Sequence, residues 1–98
     1  MSWDATVLSR NDSVATALRP VAAGATVRVM TPDGIIEIVA RQAIPLCHKI
    51  AVSELASGQD VFKYGACIGA ARMAIPRGAW IHVHNIVSKR ALPKGPRS

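Results

Sequence analysis

The stretches VAAGATV (residues 21–27), LASGQDV (55–61) and IPRGAWI (75–81) share one pattern, with an apolar residue three positions before a glycine and another three positions after it. Three copies in a chain of 98 residues are more than chance readily gives. Glycine adopts the left-handed backbone conformation without a steric penalty, so it suits a sharp turn between extended segments. We interpret each copy as a corner, in which the first apolar residue anchors one segment in the core and the second opens the next strand.

Strand signals prevail in the rest of the sequence. Short runs rich in β-branched residues recur between Gly, Pro and Asp positions, whereas helical periodicity is scarce. The predicted strands cover residues 13–18, 26–30, 35–40, 49–52, 61–63, 68–71 and 79–87, with a single helical turn in VSELASG (52–58). The predicted fold class is mostly β, a small domain of short strands with repeated glycine corners and little helix.

One domain is expected, because 98 residues suit a single small core. Residues 1–11 lack the corner pattern and are expected to form a flexible arm or a segment ordered by a partner. Residues 12–88 form the domain. Residues 89–98, KRALPKGPRS, read as a basic tail because they combine four cations with two prolines and a glycine.

The composition favours a cytoplasmic protein without a membrane span. Half of the residues are hydrophobic, but no apolar run approaches the roughly 18 residues that a transmembrane helix needs. The N-terminus has an early acid and no apolar segment of the length that a secretory signal uses. Cys47 and Cys67 lack the CxxC spacing and are expected to be free thiols.

A net charge of +6 raises the possibility of nucleic-acid binding. The distribution of charge argues against it, since Lys89, Arg90 and Lys94 lie in the tail and most other arginines stand singly among apolar residues. No helix-turn-helix or aromatic-rich stacking motif accompanies them. The charge therefore favours a basic tail that is solvated or docks on a partner protein.

The segment IHVHNI (81–86) contains two of the three histidines. In a strand, His82 and His84 would share one face with Trp80, about 6.5 to 7 Å apart along the backbone, so both imidazoles could reach one ion or anionic group. His48 could supply a third ligand. The alternative is that His82 and His84 are exposed polar positions on a half-buried strand and that His48 is a loop residue. The spacing leaves both interpretations open.

Few other groups suit catalysis. The six acids are dispersed and form no carboxylate cluster for a hard metal ion. Cys47 and His48 are adjacent, but neighbouring side chains point apart in an extended chain, which disfavours a nucleophile and base pair. Tyr64 is expected in the core or at an interface. The catalytic residues of this chain therefore stay unassigned.

The order of three segments carries a resemblance: LRPVAAGATV (18–27), IPLCHKIAVSELASGQDVFKYGACIG (44–69) and IPRGAWIHVHNI (75–86). Over about residues 12–87 the chain resembles the SAF domain of the altronate/galactarate dehydratase family. The most specific pieces are the His48-Lys49 step, Lys63-Tyr64-Gly65, Ile68-Gly69 and the closing HVHN. The chain departs from the family at Cys47, where glycine is common, and at Gly65-Ala66-Cys67, where Gly-Glu-Pro is common. The resemblance implies a β-clip fold.

The resemblance also implies a function as the small subunit of a lyase that eliminates water from an anionic sugar acid such as altronate or galactarate. A large catalytic dehydratase subunit would supply most of the active site and a divalent metal, iron or manganese. The residues implied to face the substrate or metal are His48, Lys49, His82, His84 and Asn85, with the three histidines as candidate metal ligands and Asn85 also orienting a loop. The residues implied to dock the partner are Tyr64, Lys89, Arg90 and Lys94.

Two other functions remain in competition. The same small-subunit architecture resembles that of sulfolactate sulfo-lyase, which removes sulfite from a related hydroxy acid. SAF-like domains also occur as non-catalytic binding or assembly modules.

Overall fold

The computed structural model describes residues 3–82 and 84–88, and every regular element in these ranges is a β-strand. The strands are β1 Ala5–Thr6, β2 Val14–Ala17, β3 Thr26–Thr31, β4 Gly34–Val39, β5 Lys49–Ala51, β6 Asp60–Lys63, β7 Ala66–Ala71, β8 Trp80–Ile81 and β9 Ile86–Ser88. The prediction of a mostly β domain is confirmed. The helical turn predicted in residues 52–58 is wrong, because this segment forms another corner. None of the described residues belongs to a helix that could cross a membrane.

The strands form a six-stranded sheet with the order β4-β3-β1-β2-β5-β8 and a three-stranded sheet with the order β6-β7-β9. Strand β1 runs parallel to β3, and the other paired strands are antiparallel. Two clusters of buried side chains form the core. One is centred on Val27, Val29, Ile44 and Ile50, and the other on Leu55, Val61, Ile75 and Ile81.

The predicted corners are confirmed, and the structure adds a fourth over residues 44–50. Each central residue has a positive φ, with values of 82° at Gly24, 70° at Cys47, 85° at Gly58 and 90° at Gly78. The apolar residues that open the corners pair across the molecule as two bridges, Val21↔Ile44 and Leu55↔Ile75. The four corners also repeat one hydrogen-bond pattern, in which the central N–H donates to a remote backbone carbonyl, at Ala40, Ala17, Ala71 and Ala51 respectively.

Gly78 has less freedom than the other corner glycines. A Cβ atom at this position would overlap the backbone carbonyl oxygen of Val39, whereas Gly24 and Gly58 have open space around the corresponding position. Glycine is therefore required at Gly78 by the close approach of two backbones as well as by its positive φ.

Residues 3–11 do not form the flexible arm that the sequence predicts for residues 1–11. Strand β1 lies between β2 and β3, and Ala5 has an exposed fraction of 0%. The Asp4 carboxylate accepts a hydrogen bond from the Arg28 N–H at 2.9 Å. Ala5 and Thr6 have no periodic pattern of their own, and they form a strand because β2 and β3 pair with them on either side. Residues 89–98, the predicted tail, lie outside the described residues.

The predicted strand over residues 79–87 is divided into β8 and β9, which belong to different sheets. Between them the chain turns, and the N–H groups of Asn85 and Ile86 both donate to the His82 carbonyl at 3.1 and 3.2 Å. His82 and His84 therefore do not occupy alternate positions on one continuous strand.

Candidate functional site

Trp80 stands at the centre of a cluster of imidazole rings. The His48 and His82 rings lie 5.6 and 5.0 Å from the Trp80 ring, measured between centroids, and the His84 ring lies at 5.3 Å. Strands β5 and β8 explain this geometry, because Ile50 pairs with Trp80 and the next positions on the same face are His48 and His82. The two imidazoles stack with centroids 5.1 Å apart. We call Trp80, His48, His82 and His84 the Trp80 cluster.

The hydrogen bonds of the Trp80 cluster distinguish its three histidines. The Trp80 indole N–H donates to Nδ1 of His48 at 3.1 Å. Indole is a donor only, so this bond suits a neutral His48 that carries its proton on Nε2. Within the described part of the chain, the rings of His82 and His84 make no hydrogen bond to protein, and His84 is exposed. These two imidazoles are therefore available to a ligand as donors or acceptors.

Asn85 holds the turn that carries the cluster. It is buried, with an exposed fraction of 4%, and its Oδ1 accepts the His82 N–H at 2.9 Å while its Nδ2 donates to the Trp80 carbonyl at 2.7 Å. From the other side, the Gln42 side-chain oxygen accepts the Trp80 N–H at 2.8 Å. The oxygen and the nitrogen of the Asn85 amide therefore both form hydrogen bonds with the protein backbone. The amide thus supports the turn, and the implied contact of Asn85 with substrate or metal stays a prediction.

A shallow depression begins at His84 and continues along the surface. Arg41, Gln42 and Met73 line it together with His84 and Asn85. Arg41 also lines the neighbouring depression with Arg77. An exposed imidazole and a guanidinium group therefore line the same depression, a combination that suits an anionic ligand with hydroxyl groups.

The three histidines do not form a metal site in this structure. No group of three or more His, Cys, Asp and Glu side chains among residues 3–82 and 84–88 is arranged to hold a metal ion. Stacking of His48 on His82 and the bond from Trp80 to His48 place these rings against one another instead of around a common point. The donor set of this chain does not fit an iron or manganese site by itself.

Lys49 lies on the opposite face of β5 from His48. It pairs with Thr16 of β2 and Ile81 of β8, and its side chain is half-buried. Burial, and next the nearby charge of Lys63, lower the pKa of Lys49, while Tyr64 acts in the opposite direction. The sequence groups His48 and Lys49 as one step, but the alternation of a strand separates them.

Tyr64 projects from the hairpin between β6 and β7. Tyr64 and Gly65 have φ values of 55° and 78°, as expected for the two central residues of a tight hairpin turn. The Tyr64 side chain is 51% exposed, so it is accessible to a partner. The other implied docking residues, Lys89, Arg90 and Lys94, lie outside the described residues.

Two elements of the site were not singled out by the sequence. The sequence places Trp80 on the face of His82, but its position at the centre of the ring cluster follows only from the pairing of β5 with β8. The sequence gives no reason to select Gln42, because it lies in an irregular segment that comes next to β8 only in the folded domain.

The order of strands and corners can now be compared with known proteins. Residues 3–89 match the family model described as the altronate/galactarate dehydratase SAF domain. The chain belongs to this family. The match takes in β1 and the complete Trp80 cluster, so this SAF domain starts before the boundary expected at residue 12.

Three curated relatives are named as a sulfo-lyase subunit or as dehydratases. It is 39% identical over 62 residues to (2R)-sulfolactate sulfo-lyase subunit alpha of Chromohalobacter salexigens, a match that covers 63% of this chain and 66% of that protein. It is 39% identical over 62 residues to galactarate dehydratase (L-threo-forming) of Escherichia coli, covering 63% of this chain and 11% of that protein. It is 38% identical over 74 residues to altronate dehydratase of Escherichia coli, covering 76% and 14%. The matched region is thus a small part of both dehydratases.

Proposed function

We propose that this SAF domain is the small component of a lyase that eliminates water from a sugar acid such as altronate or galactarate, and that it completes the active site of a large catalytic subunit. The observation that carries the proposal is the Trp80 cluster, in which the His82 and His84 rings make no hydrogen bond to the described residues and His84 lines one depression with Arg41, in a domain of a dehydratase family. The chain itself has too few reactive groups to serve as a complete active site, which is the reason for assigning most of the chemistry to the partner.

The substrate chemistry fits these groups. Elimination of water from a 2,3-dihydroxy acid removes a proton from carbon 2 and hydroxide from carbon 3, and the resulting enol becomes a 2-keto acid. The Arg41 guanidinium would bind the carboxylate, and the imidazoles of His82 and His84 would bind hydroxyl groups or transfer a proton near neutral pH. His48 would have a positioning role, since its Nδ1 is engaged by Trp80.

Any divalent metal of this lyase would be held by the large subunit. The described residues of the SAF domain offer no ligand group for iron or manganese. We therefore assign the SAF domain to substrate contacts and proton handling, and derive no step through a metal.

A second candidate is the small subunit of an enzyme like sulfolactate sulfo-lyase, in which sulfite rather than hydroxide leaves carbon 3. The supporting observation is the extent of the match, which covers 66% of a relative named as subunit alpha. Both candidates require a carboxylate contact and proton transfer, so the Trp80 cluster together with Arg41 fits either leaving group.

The test is reconstitution of the chain with its large subunit and a supplied divalent metal. Formation of 2-keto acid is measured with altronate, galactarate and (2R)-sulfolactate, and sulfite release is measured with the last substrate. We expect activity only when both components are present. The substrate that reacts distinguishes the dehydratase from the sulfo-lyase.

Variants of the chain then test the Trp80 cluster. His82→Ala and His84→Ala should each lower kcat by about 10²-fold, the scale of lost acid-base catalysis. Arg41→Gln should mainly raise KM, whereas Arg10→Gln, which removes an equal charge from an exposed pair with Asp33, should leave both constants unchanged. Unaltered kinetics in both histidine variants would remove the imidazoles from the reaction. Inactivity of every mixture that contains intact partner and metal would favour a non-catalytic binding module.

A further inference from the structure

A second polar cluster lies on the face of β5 opposite the histidines. Thr16 and Lys49 are direct partners in the pairing of β2 with β5. The Tyr64 hydroxyl lies 3.4 Å from the Thr16 hydroxyl, and the Lys63 ammonium lies 4.7 Å from the centre of the Tyr64 ring. Two ammonium groups, a phenol and an aliphatic hydroxyl therefore meet where the β6–β7 hairpin covers the large sheet. We call these four residues the Lys49 cluster.

The Lys49 cluster is positively charged, and among the described residues no acid forms an ion pair with it. Neither the ion pair of Arg10 with Asp33 nor that of Arg19 with Asp4 involves Lys49 or Lys63. The lowered pKa of Lys49 is consistent with burial and repulsion from Lys63 that no carboxylate offsets.

The nearby carboxylate of Asp12 does not neutralise the charge of the Lys49 cluster. One of its carboxylate oxygens accepts the Gly65 N–H at 2.8 Å, and the other accepts the Ser9 N–H at 3.3 Å. Asp12 is buried, with an exposed fraction of 8%, and its function is to fasten the loop before β2 to the turn after Tyr64. The charge of Asp12 is therefore engaged by the backbone.

We propose that the Lys49 cluster is a binding site for the carboxylate, or a related oxyanion, of a small molecule. Ammonium and hydroxyl groups are donors to anionic oxygens, and such charge-assisted hydrogen bonds are among the stronger ones in proteins. Thr16 and Lys49 are half-buried whereas Tyr64 is exposed, so a small anion reaches the recessed ammonium better than a broad protein surface does. This site is independent of the proposed function, because it lies across the sheet from the Trp80 cluster.

The experiment is a titration of the full chain with malonate at constant ionic strength, followed by NMR. A saturable set of shifts should appear at the side chains of the Lys49 cluster and at nearby amides of β2, β5 and the β6–β7 hairpin, separate from any shifts at Arg41 and His84. Because no partner or turnover is involved, the outcome is separate from the reconstitution assay. Shifts that are weak, linear and spread over the surface would overturn the proposal, since they indicate only general screening.

Charge-matched variants sharpen the result. Lys49→Gln and Lys63→Gln should each weaken malonate binding about tenfold, as expected for loss of one charge-assisted contact. Arg72→Gln removes the same charge from an exposed position after β7, at the end of that strand away from the β6–β7 hairpin turn, and should change Kd by less than about twofold. Melting curves verify that each variant is folded. Equal weakening in all three variants would refute a local site, because it would show a response to net charge alone.

Discussion

Replacing Cys47 by glycine is expected to stabilise the domain, because Cys47 occupies the one corner whose central residue carries a side chain. Its φ of 70° costs a residue with a Cβ atom about 1–2 kcal/mol relative to glycine. Glycine also gives the unfolded chain more freedom, which offsets about 0.4–1 kcal/mol of that gain. The Cys47 side chain is exposed, so little packing is lost. The net expectation is a gain of about 0.5–1 kcal/mol in unfolding free energy, or roughly 2–8 °C in melting temperature for a domain of this size.

The assay is urea and thermal unfolding under reducing conditions, followed by circular dichroism. Cys47→Ala is the matched control, since it removes the thiol but keeps a Cβ atom at positive φ, and its stability should stay near that of the parent. The urea m-value should be the same in all three proteins, which assigns the difference to the folded corner. The reasoning is refuted if Cys47→Gly is no more stable than Cys47→Ala.

Three further predictions concern stability. Gly78→Ala should cost more than about 3 kcal/mol because its Cβ atom overlaps the Val39 carbonyl, whereas Gly58→Ala should cost about 1 kcal/mol from its positive φ alone; equal losses in urea unfolding would contradict this distinction. Asn85→Ala should cost about 2 kcal/mol by removing two buried hydrogen bonds, with a change in tryptophan fluorescence, and a variant as stable as the parent would show that the amide does not hold the turn. Lys49→Met should raise stability at pH 7. The parent should then approach it as the pH rises from the lowered pKa of Lys49 towards 10.5, since the unfolded chain binds more protons in that window; a difference independent of pH would count against burial as the cause.

Much of the fold could be predicted because corners leave a local signal. The apolar and glycine spacing at residues 21–27, 55–61 and 75–81 marks three of the four corners directly. The fourth corner was not predicted because Cys47 stands where the others have glycine, although Ile44 and Ile50 keep the same spacing around it. Strand β1 was not predicted either, because the strands that pair with it are remote in sequence.

The candidate site could be predicted only in part. Strand alternation places His82 on the face of Trp80, whereas His84 reaches Trp80 through a turn held by Asn85 and not along a continuous strand. The sequence grouped Lys49 with His48, and the pairing of β5 sends the two side chains to opposite faces. Strand alternation predicts side-chain directions only where the bounds of the strand are known. In this domain long-range hydrogen bonds determine those bounds.

The sequence by itself determined the class of fold and the membership of the family, because corner spacing and segment order are local properties of the chain. Only the tertiary structure decided that His48 meets Trp80, that Asn85 belongs to the backbone support of the turn, and that Lys49 lies with Tyr64 on the other face. These contacts depend on which strands pair and in which register. Register is fixed by burying the two cores together, so it is a property of the whole domain and not of any one segment.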